Sequence, residues 1–258
     1  MKYWIIISCI AFITVVSGSF FLKESSLRDD DQLIVGTAAG YAPFVSINPQ
    51  GDYEGFDVDI AQVLAKQMGK KLIIKDLGSM TSLFTALDQG SIDVIIWGLS
   101  ITKERLQKVV MVHYQGKAST DYPLMFWKQI PDGVRTIFDM KGKVVCVEPS
   151  SSQEVVLRKY NFINPLFIEK VDDALLNMQY GKVDAAFVEP AIAKKFKNKF
   201  PEIQVLEVPL DHEDQVQGVG IVIKLNDELL IDQVQEAIAT LKSTGIIEQF
   251  EQKWDIAS

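Results

Sequence analysis

Apolar and polar positions alternate along the chain in a pattern that predicts strands and helices in turn. Leu33-Ile34-Val35-Gly36 reads as a short buried strand, followed by a loop of small residues up to Pro43. Ile60, Val63, Leu64 and Met68 recur at helical spacing, and Gly69 stops the helix. Lys71-Leu72-Ile73-Ile74 is the next strand. A helix over 81–89 carries Leu83, Phe84 and Leu87 on one face and ends at Gly90, before a strand from Ile92 to Trp97. The second half repeats this plan: strand 143–147, helix 152–160, strand 166–168, helix 172–180 stopped by Gly181, and strand 183–188.

The echo extends to single residues. Ala86-Leu87-Asp88-Gln89-Gly90-Ser91-Ile92-Asp93-Val94 parallels Asn177-Met178-Gln179-Tyr180-Gly181-Lys182-Val183-Asp184-Ala185, with a glycine ending a helix and one aspartate opening an apolar strand. Strands alternating with helices predict mostly parallel sheets, hence an α/β protein of two similar Rossmann-like lobes. The tail, with a strand over 218–223, an amphipathic helix over 229–241 and a last helix ending at Trp254, is too small to pack alone. Its return to the first lobe makes lobe one 32–116 plus 220–258 and lobe two 117–219. The chain then crosses near 113–122 and 212–221, a two-segment hinge flanking a cleft. Ligands of open α/β sheets bind beyond the carboxyl ends of the strands.

Composition narrows the chemistry. A formal net charge of −8 disfavours binding to nucleic-acid phosphates. Two Cys and two His, with no C-x-x-C and no H-x-x-x-H, leave no material for a zinc centre or a disulfide scaffold. Cys146 sits in an apolar strand and reads as a small core residue. No cofactor is implied, and His113 and His212 fall at the expected crossings, where a structural role fits best.

Residues 1–22 form a segment apart. Lys2, an apolar run from Trp4 to Val16 and Ser17-Gly18-Ser19 have the layout of a secretory signal. Phe20, Phe21 and Leu22 lengthen the apolar stretch enough for a retained anchor as the alternative. Cys9 follows too few apolar residues to be a lipidation box. Either way the address is extracytoplasmic.

Candidate ligand groups stand at strand ends. Thr102 caps a short helix whose first turn contains Arg105, where a cation opposes the helix dipole and a bound anion would relieve it; a solvent-facing arginine is the plain alternative. Gly98 admits a ligand to the backbone, and Ser100 adds a hydroxyl. Ser150-Ser151-Ser152-Gln153 lies between a strand and a helix N-terminus, where unpaired amides favour an anion, although one serine also caps that helix. Glu189, ahead of Pro190, is placed to accept an ammonium group or to be a solvated loop acid.

Taken in order, Tyr41-Ala42-Pro43-Phe44, Gly55-Phe56-Asp57-Val58-Asp59-Ile60, Thr102-x-x-Arg105 and Gly245 with Lys253-Trp254 resemble the extracytoplasmic solute-binding proteins for polar amino acids that serve ABC importers. The likeness spans roughly residues 32–257. It implies the type II periplasmic binding protein fold and a hinged, monomeric receptor that closes on one amino acid and presents it to a membrane permease. Arg105 would clamp the α-carboxylate, aided by Ser100 and the backbone of Gly98 and Ser152. Glu189 would pair with the α-ammonium, Tyr41 would stack on the side chain, and Asp57 would lie near the pocket or cap its helix. Ser150 departs from a common glycine, Met80 from a frequent aromatic, and Ala38 from the aspartate of some basic-amino-acid binders. Glu148 maps to the side-chain pocket, where a desolvated carboxylate calls for a cation. With Asp57 as a second possible negative charge and the flat faces of Tyr41 and Trp97, it favours arginine over lysine or ornithine, with glutamine as runner-up. An enzyme of the dehydratase kind on the same scaffold, using Glu148 or Glu189 as acid, and the sensing domain of a receptor are the competing classes.

Overall fold

The computed structural model describes residues 31–256; the expected signal or anchor over 1–22 lies outside them. Among the described residues no helix is long and apolar enough to cross a membrane. The chain opens with β1 (Gln32–Thr37) and a small hairpin of β2 (Ser46–Ile47) and β3 (Tyr53–Glu54), then α1 (Phe56–Gln67), β4 (Lys71–Asp76), α2 (Met80–Gln89), β5 (Val94–Ile95) and α3 (Lys103–Leu106). β6 (Val109–Ser119) and β7 (Asp121–Phe126) follow, then a 3-10 turn at Ile137–Met140, β8 (Val144–Val147), α4 (Ser152–Leu157), β9 (Asn164–Phe167), α5 (Asp172–Gln179) and β10 (Ala185–Phe187). The chain closes with α6 (Pro190–Lys199), β11 (Gln204–Pro209), β12 (Val216–Lys224), α7 (Glu228–Ser243) and α8 (Ile246–Lys253).

Two five-stranded sheets result, ordered β4-β1-β5-β12-β6 and β11-β7-β10-β8-β9. Each is built on three parallel strands, β4-β1-β5 and β9-β8-β10. Each is extended by antiparallel strands, β12 and β6 in the first and β7 and β11 in the second. The mostly parallel sheets expected from the alternation are therefore corrected to mixed ones, although the two-lobed α/β architecture stands. β6 continues in the first sheet to Ser119, and β7 begins in the second at Asp121. The second passage runs from Pro209 at the end of β11 to Val216 at the start of β12.

The repeated aspartate does the same work in both sheets. Asp93 accepts the Ile34 amide at 2.7 Å and donates its own amide to the Ile34 carbonyl. Asp184 accepts the Val144 amide at 2.8 Å and donates likewise to the Val144 carbonyl. Each carboxylate thus ties the approach to the third parallel strand onto the first, which sets where both strands end. Cys146 is a fully buried free thiol, pushed up by burial to about 12, so it is an inert core residue.

Two glycines position the first lobe's loops. The Phe56 and Asp57 amides donate to the Pro43 and Phe44 carbonyls, each at 3.0 Å, seating α1 on the turn that follows Tyr41. This contact requires Gly55, at φ 136°, because a Cβ there would lie 2.1 Å from the Phe44 carbonyl oxygen. Gly218, at φ 75°, sits where the β12–β6 register shifts, and a Cβ there would meet the Gln115 oxygen at 2.5 Å. The irregularity lets Leu99–Ile101 hydrogen-bond to β12: Ile101 donates to Gly218, Gln217 to Ile101, and Gly220 to Leu99. Ser100 is thereby fixed beside β12 at Val219.

Candidate ligand-binding site

The carboxyl ends of β1, β5, β8 and β10 lead into one cleft between the sheets. Tyr41, Trp97, Gly98, Ser100 and Arg105 line it from the first lobe, and Glu148, Ser151, Ser152, Gln153 and Glu189 from the second. Met80 and Leu99 complete the wall. The lobes meet across the cleft and leave about 10 Å³, too little for a small molecule while they meet. A groove of about 470 Å³ lies beside Phe84, Lys108 and Val155, sharing Arg105, Ser151 and Ser152 with the cleft. A chamber of about 320 Å³ lies on the strand-crossing side, sharing Gly98, Ser100 and Glu189 with the cleft.

Arg105 occupies the third position of α3, and its amide is accepted by the capping Thr102 hydroxyl at 3.2 Å. Its guanidinium donates from Nη1 to the Ser100 carbonyl at 2.9 Å. From Nη2 it donates to Met80 Sδ at 3.2 Å and to the Ser150 carbonyl of the opposite lobe at 3.3 Å. None of these bonds is to a carboxylate. Burial lowers its pKa, against the nearby Glu189 and Glu148, which favour its charge.

The second lobe brings the opposite sign. Glu189 is the N-cap residue of α6, yet its side chain makes no capping bond. Instead Oε1 accepts Ser100 Oγ at 2.6 Å, across the cleft, and Ser152 Oγ at 3.5 Å. Burial raises its pKa, partly offset by those hydroxyls and by Arg105. Glu148 is pushed up to about 8, chiefly by burial and then by Glu189, with Arg105 pulling it down. Burial thus holds both carboxyls toward their neutral form, and a cation beside them would restore their charge.

Of the serines, Ser151 is the cap, accepting the Glu154 amide at 3.0 Å. Ser152 receives the Tyr122 hydroxyl at 2.7 Å. Gln153 is 4% exposed, and its side chain faces Glu189, whose charged form it favours. On the aromatic side, Tyr41 lies 5.1 Å from Trp97 and 5.6 Å from Phe44 between ring centroids. Trp97 is locked by donation of Nε1 to the Ala38 carbonyl at 2.7 Å.

Asp57 is the one candidate that the cleft does not include. It is 1% exposed inside the first lobe and accepts the Tyr114 hydroxyl at 2.7 Å. Gly98 in turn donates its amide to that hydroxyl at 3.3 Å. The α1 N-cap is Gly55, without a side-chain capping bond, so Asp57 supports the Gly98 backbone from behind. Burial raises it to about 7, against the Tyr114 hydroxyl. Among groups that sequence reading did not single out, Tyr114 and Tyr122 form this supporting layer. Their signal was lost because each is an isolated aromatic in a strand without marked alternation. His113 and His212 hold structural contacts, His113 with Lys242 and the Gly116 carbonyl, His212 with Lys103. A cluster of Asp211, Glu213 and Asp214 has metal-type spacing but surrounds the Lys159 ammonium.

Residues 33–256 match the model of the bacterial extracellular solute-binding proteins, family 3. The probable ABC transporter arginine-binding protein ArtJ of Chlamydia trachomatis is 28% identical, with 96% of each chain covered. A crystal structure of a mutant of ArgBP from T. maritima superposes with a TM-score of 0.79 at 28% identity, covering 88% of this chain and 96% of that one. An ancestral arginine-binding protein bound to glutamine gives a TM-score of 0.77 at 26% identity, covering 88% and 99%. A match over nearly all of the described residues identifies a solute-binding receptor rather than an enzyme: this chain belongs to family 3 of the bacterial extracellular solute-binding proteins.

Proposed function

We propose that this protein binds free L-arginine outside the cytoplasm, by closure of its two lobes, and hands it to an ABC permease. The observation that carries the reading is the polarity of the cleft, with a buried cation from one lobe and two buried carboxyls from the other lining the same cavity. A free amino acid is a zwitterion of matching polarity. Arg105 takes the α-carboxylate, with Ser100, the Gly98 and Ser152 backbone and the Gln153 amide as further donors. Glu189 takes the α-ammonium. Glu148 faces the guanidinium, which lies against Tyr41 and Trp97. Lobe one is 32–116 plus 220–258 and lobe two 117–219, turning on 113–122 and 212–221. The protein works as a monomer and reaches its compartment through residues 1–22. The arginine-binding relatives support this ligand; the glutamine-bound ancestral protein favours glutamine as the second reading.

Isothermal titration against the twenty amino acids, after unfolding and refolding to strip carried-over ligand, tests the proposal. Tight arginine and weaker lysine are expected. Preference for glutamine would install the second reading, and silence across the panel would overturn both.

A further inference from the structure

Arg105 uses one bond that holding a ligand does not require. Its Nη2 donates to the Ser150 carbonyl across the cleft, while Nη1 holds the Ser100 carbonyl of its own lobe. A guanidinium has five N–H donors, and with Nη2 also donating to Met80 Sδ, Nε and one Nη1 hydrogen remain for a ligand. Ser150 Oγ also lies 3.3 Å from Thr81 Oγ1 of the first lobe. Ser150 therefore touches the opposite lobe through both its backbone and its side chain.

That contact depends on an uncommon backbone. Ser150 has φ 63°, the left-handed region that a serine enters only when its surroundings hold it there. The holder is Glu154, whose Oε2 accepts the Ser150 amide at 2.5 Å. A glutamate at the third helical position commonly reaches back to the amide of the N-cap residue. Here the N-cap Ser151 donates its amide to the Glu148 carbonyl, and Glu154 reaches one residue further, to Ser150. Glu154 is buried and fixed in turn by Arg158, whose Nε donates to Oε1 at 2.8 Å and whose Nη2 adds a second bond.

We propose that Glu154 is a positioning residue for lobe closure: it holds the Ser150 turn so that the Ser150 carbonyl latches Arg105 across the cleft. The residue assigned to the ligand carboxylate thus also ties the lobes together. The inference rests on the proposed function only for its effect on ligand release, not for the latch itself. Breaking the latch opens the ligand-free protein and speeds release, with little effect on association.

Small-angle scattering of the ligand-free protein and stopped-flow release of L-arginine test this together. Glu154→Ala is expected to enlarge the radius of gyration and to speed release about tenfold or more, as for loss of one charge-assisted bond, with the association rate unchanged. Glu154→Gln is expected to restore both in part, because its amide oxygen still accepts the Ser150 amide while the Arg158 pair is lost. Glu154→Asp keeps the charge but withdraws the oxygen from Ser150, so it is expected to behave like the alanine variant and serves if that variant does not fold. A wild-type radius in both Glu154→Ala and Glu154→Asp would overturn the latch, as would Glu154→Gln opening as far as they do. Should L-arginine fail to bind the wild type, the proposed function fails, and scattering alone decides the latch.

Discussion

The two lobes share a scaffold and differ in charge. In each, an aspartate ahead of the third parallel strand is bonded to the first, Asp93 to Ile34 and Asp184 to Val144. The loops beyond those strands then diverge. The first lobe presents aromatic rings and Arg105 to the cleft, the second presents Glu148, Glu189 and a row of serines. Equivalent strands deliver the loops to equivalent places, so a repeated frame yields a site with two unlike walls. Scaffold and recognition are thus written in different residues, and each can be disturbed without the other.

Removing the cationic pole should give the largest effect. Arg105→Ala leaves the carboxyls of the other wall without their counter-charge and removes the carboxylate clamp, so amino-acid affinity is expected to fall by roughly 100-fold or more, with the fold retained by circular dichroism. Calorimetric titration reads this, and wild-type affinity would remove Arg105 from the site.

The anionic wall should show itself through pH. Glu148 titrates near 8 in the ligand-free protein, so a cationic side chain bound below that pH must displace its proton. Beyond any slope that both ligands share through Glu189 and the α-ammonium, arginine affinity is therefore expected to carry an extra slope rising with pH up to about 8, by at most about tenfold per unit. Glu148→Leu should abolish that slope and weaken arginine more than glutamine. Parallel slopes for both ligands would take Glu148 out of the choice of side chain.

The shared scaffold should give the smallest and most equal effects. Asp93→Ala and Asp184→Ala each leave a strand amide without its acceptor, worth about 1–2 kcal/mol of stability in chemical denaturation. Similar losses, with ligand affinity little changed, would confirm that these aspartates belong to the frame. A large loss of affinity in one alone would break the equivalence.

Much of this was legible in the sequence because the parallel cores of both lobes obey simple periods and end at glycine. The antiparallel additions were not. β11 is largely exposed, so its residues carry no alternation. α6 shows only Ile192, Ala193 and Phe196 as a buried stripe among lysines. β7 is buried on both faces and contains Pro123, which hides it as a strand. Mixed pairing was invisible for the same reason, since alternating helices and strands describe only the parallel part. The charged groups at strand ends could be read from their positions. The burial of Asp57 against Tyr114, and the reach of Glu154 to Ser150, depend on partners and backbone angles that no local pattern records.

The most direct test of the two-walled site compares L-arginine with agmatine, which is arginine without its α-carboxylate, by competitive titration of the wild-type protein. If Arg105 holds the carboxylate, agmatine should bind about 100-fold more weakly or worse, as expected for a buried cation left unpaired. Equal affinity for the two would contradict an amino acid held between opposite charges.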